Sequence, residues 1–186
     1  MSLNGSKIYG PRSSGILYIK YQTEISPIIF GGGQERGRRS GTEDVAAAVG
    51  LAMAIKKSQD IKHEESRRLT ILRDKFITQI LKTIPGSSLN GDKKNRVANN
   101  INLSFDRVDG ETLILYLDKI GVNASTGSAC STNDQSPSHV LLGIGLSESA
   151  ARSSLRLSLG RSTTEEDLDF LAEKLPAIIS RLRELY

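Results

Sequence analysis

The chain has 186 residues, 38% hydrophobic and 25% charged, which predicts a soluble globular protein of one domain or one domain plus part of another. With 5% aromatic residues and no Trp it lacks the rings for a stacking surface on single-stranded nucleic acid. The net charge of +4 comes from scattered groups, so the long basic stripe that a duplex demands is excluded as well.

In chain order, the opening MSLNGSKIYGPRSSG is made of turn formers and small polar residues, and predicts a loop feeding a short strand over 16–20, ILYIK. A Gly-rich loop follows over 25–42, and its cluster Arg36, Arg38 and Arg39 suits a small anion. Thr42 is placed to cap an Ala- and Val-rich helix ending near Lys57, with Glu43 and Asp44 in its first turn. A charged amphipathic pattern over 61–84 predicts a further long helix, stopped by Pro85 and Gly86.

Beyond it the pattern predicts a strand over 97–105, a helix over 110–120 and a short strand over 122–125. After a polar loop come a short helix near 138–142, a helical turn near Glu148, a strand over 154–159 and a terminal helix from Thr163. This succession predicts an α/β sandwich over 85–186. The expected organisation is the edge of a larger domain over 1–60, a linking helix over 61–84 and a small α/β domain over 85–186. A single strand, one glycine loop and one apolar helix do not make a domain by themselves, so the chain reads as a fragment.

No apolar run approaches the roughly 20 residues of a membrane span, and no export leader is visible at the start. One Cys and two His supply neither an internal disulfide nor a metal set. The expected compartment is the cytoplasm.

The single cysteine, Cys130, lies in STGSACSTNDQSPSHV, among small and hydroxylated residues. Taken alone, a free cysteine is more often structural than reactive. A polar, glycine-containing loop nevertheless supplies the reach a nucleophilic thiol requires, and His139 is the nearest base in the sequence.

The stretch STGSACS, followed by SHVLLGIGLSESAARSSLRLSLGRSTTEEDLD, resembles the carboxy-terminal region of cysteine desulfurases, pyridoxal-phosphate enzymes of the class V aminotransferase superfamily. GGGQERGRRSGTEDVAAAVGLAMAI is similar to that family's central segment, and Ser6-Lys7-Ile-Tyr-Gly-Pro-Arg to its His-Lys-x-x-Gly-Pro-Lys stretch. The resemblance implies a partial fold-type-I architecture and a homodimer. It also implies a reaction converting L-cysteine to L-alanine, with a persulfide on Cys130 passed to a sulfur acceptor or iron–sulfur scaffold protein.

By the same resemblance, Lys7 matches the lysine that holds pyridoxal phosphate as a Schiff base, Asn4 and Ser6 match positions that help hold its phosphate, and Thr42 matches a residue that contacts the cofactor phosphate of the partner subunit. Arg156 matches the arginine that grips the substrate carboxylate, with Arg161 as second choice. Two positions depart from the pattern: Ser6 stands where His is usual, and Asn4 where a Ser often sits. The family's earlier half, with its ring-stacking His and pyridine-pairing Asp, has no counterpart here, which predicts that this chain alone is inactive. The rival readings are a selenocysteine lyase or aminotransferase-like relative, and a non-catalytic binding or dimerisation module.

Overall fold

In the computed structural model, residues 1–127 and 136–185 are described. The opening segment is more ordered than its turn-former composition suggests. Ser2–Asn4 (β1) pairs antiparallel with Gly15–Leu17 (β2), and Leu3 faces Ile16. Between them Gly5–Ile8 forms one 3-10 turn capped by Asn4, whose Oδ1 accepts from Ser6 N at 2.9 Å. Gly5 is required by close approach, because a Cβ there would lie 2.1 Å from Ser14 Oγ and 2.8 Å from the Pro11 carbonyl oxygen.

The two helices expected over 43–57 and 61–84 are one. Val45–Thr83 (α1) runs for 39 residues. Residues 51–84 contain no Gly or Pro, and the polar stretch Ser58-Gln59-Asp60 costs only about half a kcal/mol per residue in propensity, too little to break a helix. Its cap is Asp44 rather than Thr42: Asp44 Oδ1 accepts from Ala47 N at 2.9 Å, satisfying one of the first-turn donors. The chain divides into two units, Met1–His63 and Glu64–Tyr186, and α1 contributes to both.

In the second unit, Ser87–Leu89 (β3), Asn100–Phe105 (β4) and Ser154–Ser158 (β5) form an antiparallel sheet in the order β3-β4-β5. β4 reads N-I-N-L-S-F and β5 reads S-L-R-L-S, a period of two that sends alternate side chains to opposite faces. Ile101, Leu103, Phe105, Leu155 and Leu157 form the apolar face. Against it pack the last six turns of α1 through Phe76 and Ile80, Gly110–Asp118 (α2) through Leu113 and Leu117, and the terminal helix through Leu175 and Ile179. Short helices His139–Gly143 (α3) and Glu148–Arg152 (α4) precede β5.

The terminal helix, Glu165–Arg183 (α5), starts at a reciprocal capping box of Thr164 and Asp167. The α/β sandwich expected from the sequence is therefore present, with two corrections. β3 has no counterpart among the expected strands, and the expected strand over 122–125 is a single bridge, Ser125 with Arg156.

Candidate functional site

The other half of the β4/β5 alternation makes the site. Asn100, Asn102 and Ser104 share one face with Ser154, Arg156 and Ser158. Part of this polar face lines a cleft of about 840 Å³, whose wall includes Asn90, Asn102, Arg156 and His139. Arg156 is half-buried there, and its guanidinium has neither hydrogen bond nor ion pair among the described residues. A guanidinium presents donors only, in a fork that matches a carboxylate.

The segment carrying Cys130 is attached to the same place. Ser125 and Arg156 exchange backbone hydrogen bonds, Ser125 N to Arg156 O at 3.1 Å and Arg156 N to Ser125 O at 2.6 Å. Ser125 Oγ then braces the turn, donating to Gly127 O at 3.0 Å and accepting from Gly127 N at 3.2 Å. Ser154 Oγ donates to Thr126 O at 2.8 Å. Thr126 and Gly127 line the cleft, and so do Ser136, Pro137 and Ser138 on the returning side. Cys130 itself lies outside the described residues, but both flanks of its segment border the cleft that holds Arg156.

Beneath the cleft runs a polar network that sequence reading did not find. Asn90 Nδ2 donates to Asn102 Oδ1 at 2.7 Å and to Ser104 Oγ at 2.8 Å, and Ser104 Oγ donates to Ala150 O at 2.7 Å. Asn90 and Ser104 are buried, and their bonding meets the cost of placing polar groups there. Arg96 also borders the cleft, its Nε donating to Asp92 O at 3.0 Å and its Nη2 to Asn90 O. Burial, with the Arg73 charge nearby, pulls the Arg96 guanidinium below its ordinary pKa.

The other expected site residues are in the first unit. Asn4, Ser6 and Lys7 lie in one turn, with Ser6 Oγ donating to Asn4 Oδ1 at 2.8 Å. Lys7 is exposed, and so is Thr42 ahead of α1. Arg161 is not on the cleft lining; its carbonyl accepts from Arg68 at 3.4 Å and its charge acts on Glu65. Among the described residues no group of three or more His, Cys, Asp or Glu could hold a metal, and no helix is long and apolar enough to cross a membrane.

The chain is 49% identical over its whole length to "Cysteine desulfurase IscS" of Clostridium botulinum (strain Kyoto / Type A2), covering 47% of that protein. It is 38% identical to "Cysteine desulfurase NifS" of Azotobacter vinelandii, again over its whole length and 46% of that protein. The chain thus spans about half the length of the curated relatives it matches. A solved structure titled "NIFS-LIKE PROTEIN" superposes with a TM-score of 0.84 at 32% identity, covering 97% of this chain and 46% of that one. The NifS-like protein from Rickettsia africae ESF-5 gives 0.84 at 28% identity, covering 96% of this chain and 47% of that one. The expected partial fold-type-I architecture agrees with these neighbours. Residues 1–171 match the aminotransferase class-V family, and the chain belongs to that family.

Proposed function

We propose that the protein carrying this chain is a pyridoxal-phosphate-dependent cysteine desulfurase, converting L-cysteine to L-alanine and leaving the sulfur as a persulfide on Cys130. The observation that carries this reading is an Arg156 guanidinium without a side-chain partner among the described residues, in the cleft bordered by both flanks of the Cys130 segment. Arg156 binds the carboxylate of the incoming amino acid as a forked pair and so fixes the orientation of its Cα. The Cys130 thiolate attacks the substrate sulfur: the Cβ–S bond breaks, a Cys130 S–S bond forms, and a proton completes the alanine methyl group.

The first-unit turn suits the cofactor chemically. Lys7 supplies a primary amine for a Schiff base, and Asn4 Nδ2 is a donor for phosphate, since Asn4 Oδ1 already accepts from Ser6. Thr42 is the candidate contact to the cofactor phosphate of the partner subunit in the homodimer. When bound, the cofactor supplies an electron-withdrawing ring that stabilises negative charge on the substrate carbon.

The reading also comprises a homodimer, a sulfur-acceptor or scaffold partner and a cytoplasmic setting. It assigns residues 1–60 to a larger cofactor domain, 61–84 to a linking helix and 85–186 to the small domain.

The test uses the full-length, cofactor-loaded protein with L-cysteine, following alanine release and persulfide formation at Cys130 by mass spectrometry. Cys130→Ser is expected to abolish both, and Lys7→Ala to abolish alanine release together with the visible cofactor band. Alanine release that persists undiminished in Cys130→Ser would replace this reading with that of a selenocysteine-lyase-like relative, in which the C–S bond breaks without a Cys130 persulfide.

A further inference from the structure

The polar network under the cleft fixes the orientation of one side chain beside Arg156. Ser104 Oγ lies 2.7 Å from the Ala150 carbonyl oxygen, a group that only accepts, and 3.2 Å from Asn90 Oδ1, so the hydroxyl proton goes to the shorter contact at Ala150. Ser104 Oγ must then act as acceptor toward Asn90, and the Asn90 atom at 2.8 Å is therefore Nδ2. The same Nδ2 lies 2.7 Å from Asn102, so the Asn102 atom facing it is Oδ1. This leaves Asn102 Nδ2, with both its protons, outside the network and without a partner among the described residues.

Asn102 stands directly opposite Arg156 in the β4–β5 register. Opposed side chains on one face of an antiparallel pair have Cβ atoms about 5 Å apart, and both residues line the cleft. Of the three carboxylates on that lining, Asp92 is engaged by the N–H groups of Lys94 and Asn95, and Asp109 by Thr112. The third, Glu111, lies in the first turn of α2. What faces the cleft from the sheet at this point is a guanidinium and a carboxamide N–H₂ side by side: donors for an anion with two oxygens.

Resting on the proposed desulfurase reading, we infer that Asn102 is a second substrate-binding residue, its Nδ2 donating to the substrate carboxylate beside Arg156. Asn90 and Ser104 are positioning residues that hold the amide in the donating orientation. Arg156 supplies the charge and Asn102 adds direction. A lone guanidinium accepts a carboxylate along several edges, whereas a fixed neighbouring donor selects one.

The experiment measures equilibrium binding of L-alanine, by calorimetry, to the full-length, cofactor-loaded protein, with L-alaninamide as the probe lacking a carboxylate. Asn102→Ala is expected to weaken L-alanine binding about tenfold, the loss of one hydrogen bond to a charged group. Asn102→Asp keeps an oxygen for Asn90 but turns a negative charge toward the ligand, and should weaken binding further. Asn102→Ala should weaken alaninamide binding clearly less, since a neutral carboxamide oxygen is the weaker acceptor. Asn102→Asp should not weaken it, since that probe carries no negative charge to repel, and should also keep the parent's circular dichroism spectrum. A residue that only braces the sheet predicts the reverse order, with Asp the milder change.

If both Asn102 variants bind L-alanine like the parent while Arg156→Ala does not, the inference is wrong and the desulfurase reading stands. If Arg156→Ala also binds like the parent, the carboxylate assignment of the whole cleft fails, and this inference with it.

Discussion

Ser125 and Arg156 are joined by two reciprocal backbone hydrogen bonds, and these are the strand character of residues 122–127. One bridge thus ties Arg156, the proposed carboxylate contact, to the chain five positions before Cys130. A proline at 125 removes the donor to Arg156 O. Ser125→Pro is expected to lower stability by about 1–3 kcal/mol, read as a shifted urea midpoint. Ser125→Ala, which loses only the Oγ contacts with Gly127, should cost clearly less. Equal costs would mean that the bridge does not hold the segment.

Arg156 has no side-chain partner among the described residues, so its removal should separate binding from folding. Arg156→Ala is expected to leave the melting temperature within about 2 °C of the parent, because no side-chain hydrogen bond or ion pair among the described residues is lost. It should raise KM for L-cysteine in the full-length protein by about 10–100-fold. Arg156→Lys should recover part of that loss, since an ammonium supplies charge without the fork. A large drop in melting temperature would instead show the guanidinium to be a structural strut.

Gly110 opens α2 where the chain passes against β5. A Cβ there would meet the carbonyl oxygens of Arg152 at 2.5 Å and Ser154 at 2.9 Å, with Thr126 Cγ2 at 2.8 Å. Two of these are backbone and cannot rotate aside, so the clash outweighs the propensity gain of up to about 1 kcal/mol that Ala brings to a helix. Gly110→Ala should destabilise by roughly 1–3 kcal/mol. Because Thr126 must shift, it should also disturb the flank of the Cys130 segment, visible as changed amide shifts at 125–127. A stabilised Gly110→Ala protein would contradict this packing.

Glu65 and Arg68 form a forked pair on α1, Nε to Oε2 at 2.9 Å and Nη2 to Oε1 at 2.8 Å, while Arg68 Nη1 donates to Thr163 O at 2.7 Å. The hydrogen bond from Arg68 holds the Glu65 carboxyl below its ordinary 4.5, against a smaller opposing effect of burial. A carboxylate with a depressed folded pKa adds stability that is complete above the unfolded value and is lost as pH falls through the folded one. The stability of the parent should therefore decline below about pH 4.5 more steeply than that of Glu65→Gln. For a partly exposed pair the difference should stay below about 1 kcal/mol, measured by urea unfolding between pH 6 and pH 3.

The parts of this molecule that could be read in advance are those with a local period. The sequences N-I-N-L-S-F and S-L-R-L-S announce their two faces, and Arg156 falls in the polar phase of the second. Thr164 and Asp167 likewise mark the start of α5. Two kinds of feature escaped. Short strands such as β1 and β3 have three residues each, too few to show a pattern. The Asn90–Asn102–Ser104 network joins residues 12 and 14 positions apart, and only the pairing of β3 with β4 brings them together. The cap of α1 was misplaced by two residues because Thr42 and Asp44 are both good caps, and the choice rests on where the preceding loop turns.

The alternation along β4 and β5 ties two fates together. Sliding β4 by a single residue would turn Ile101, Leu103 and Phe105 out to water and bury Asn100 and Asn102 in their place. A one-residue slip thus cannot move Asn102 and Arg156 apart without also exposing the interior. Selection for a stable protein therefore guards the placement of Arg156 at no extra cost, and variants with a crippled recognition surface should arise by exchanging side chains rather than by shifting the strand.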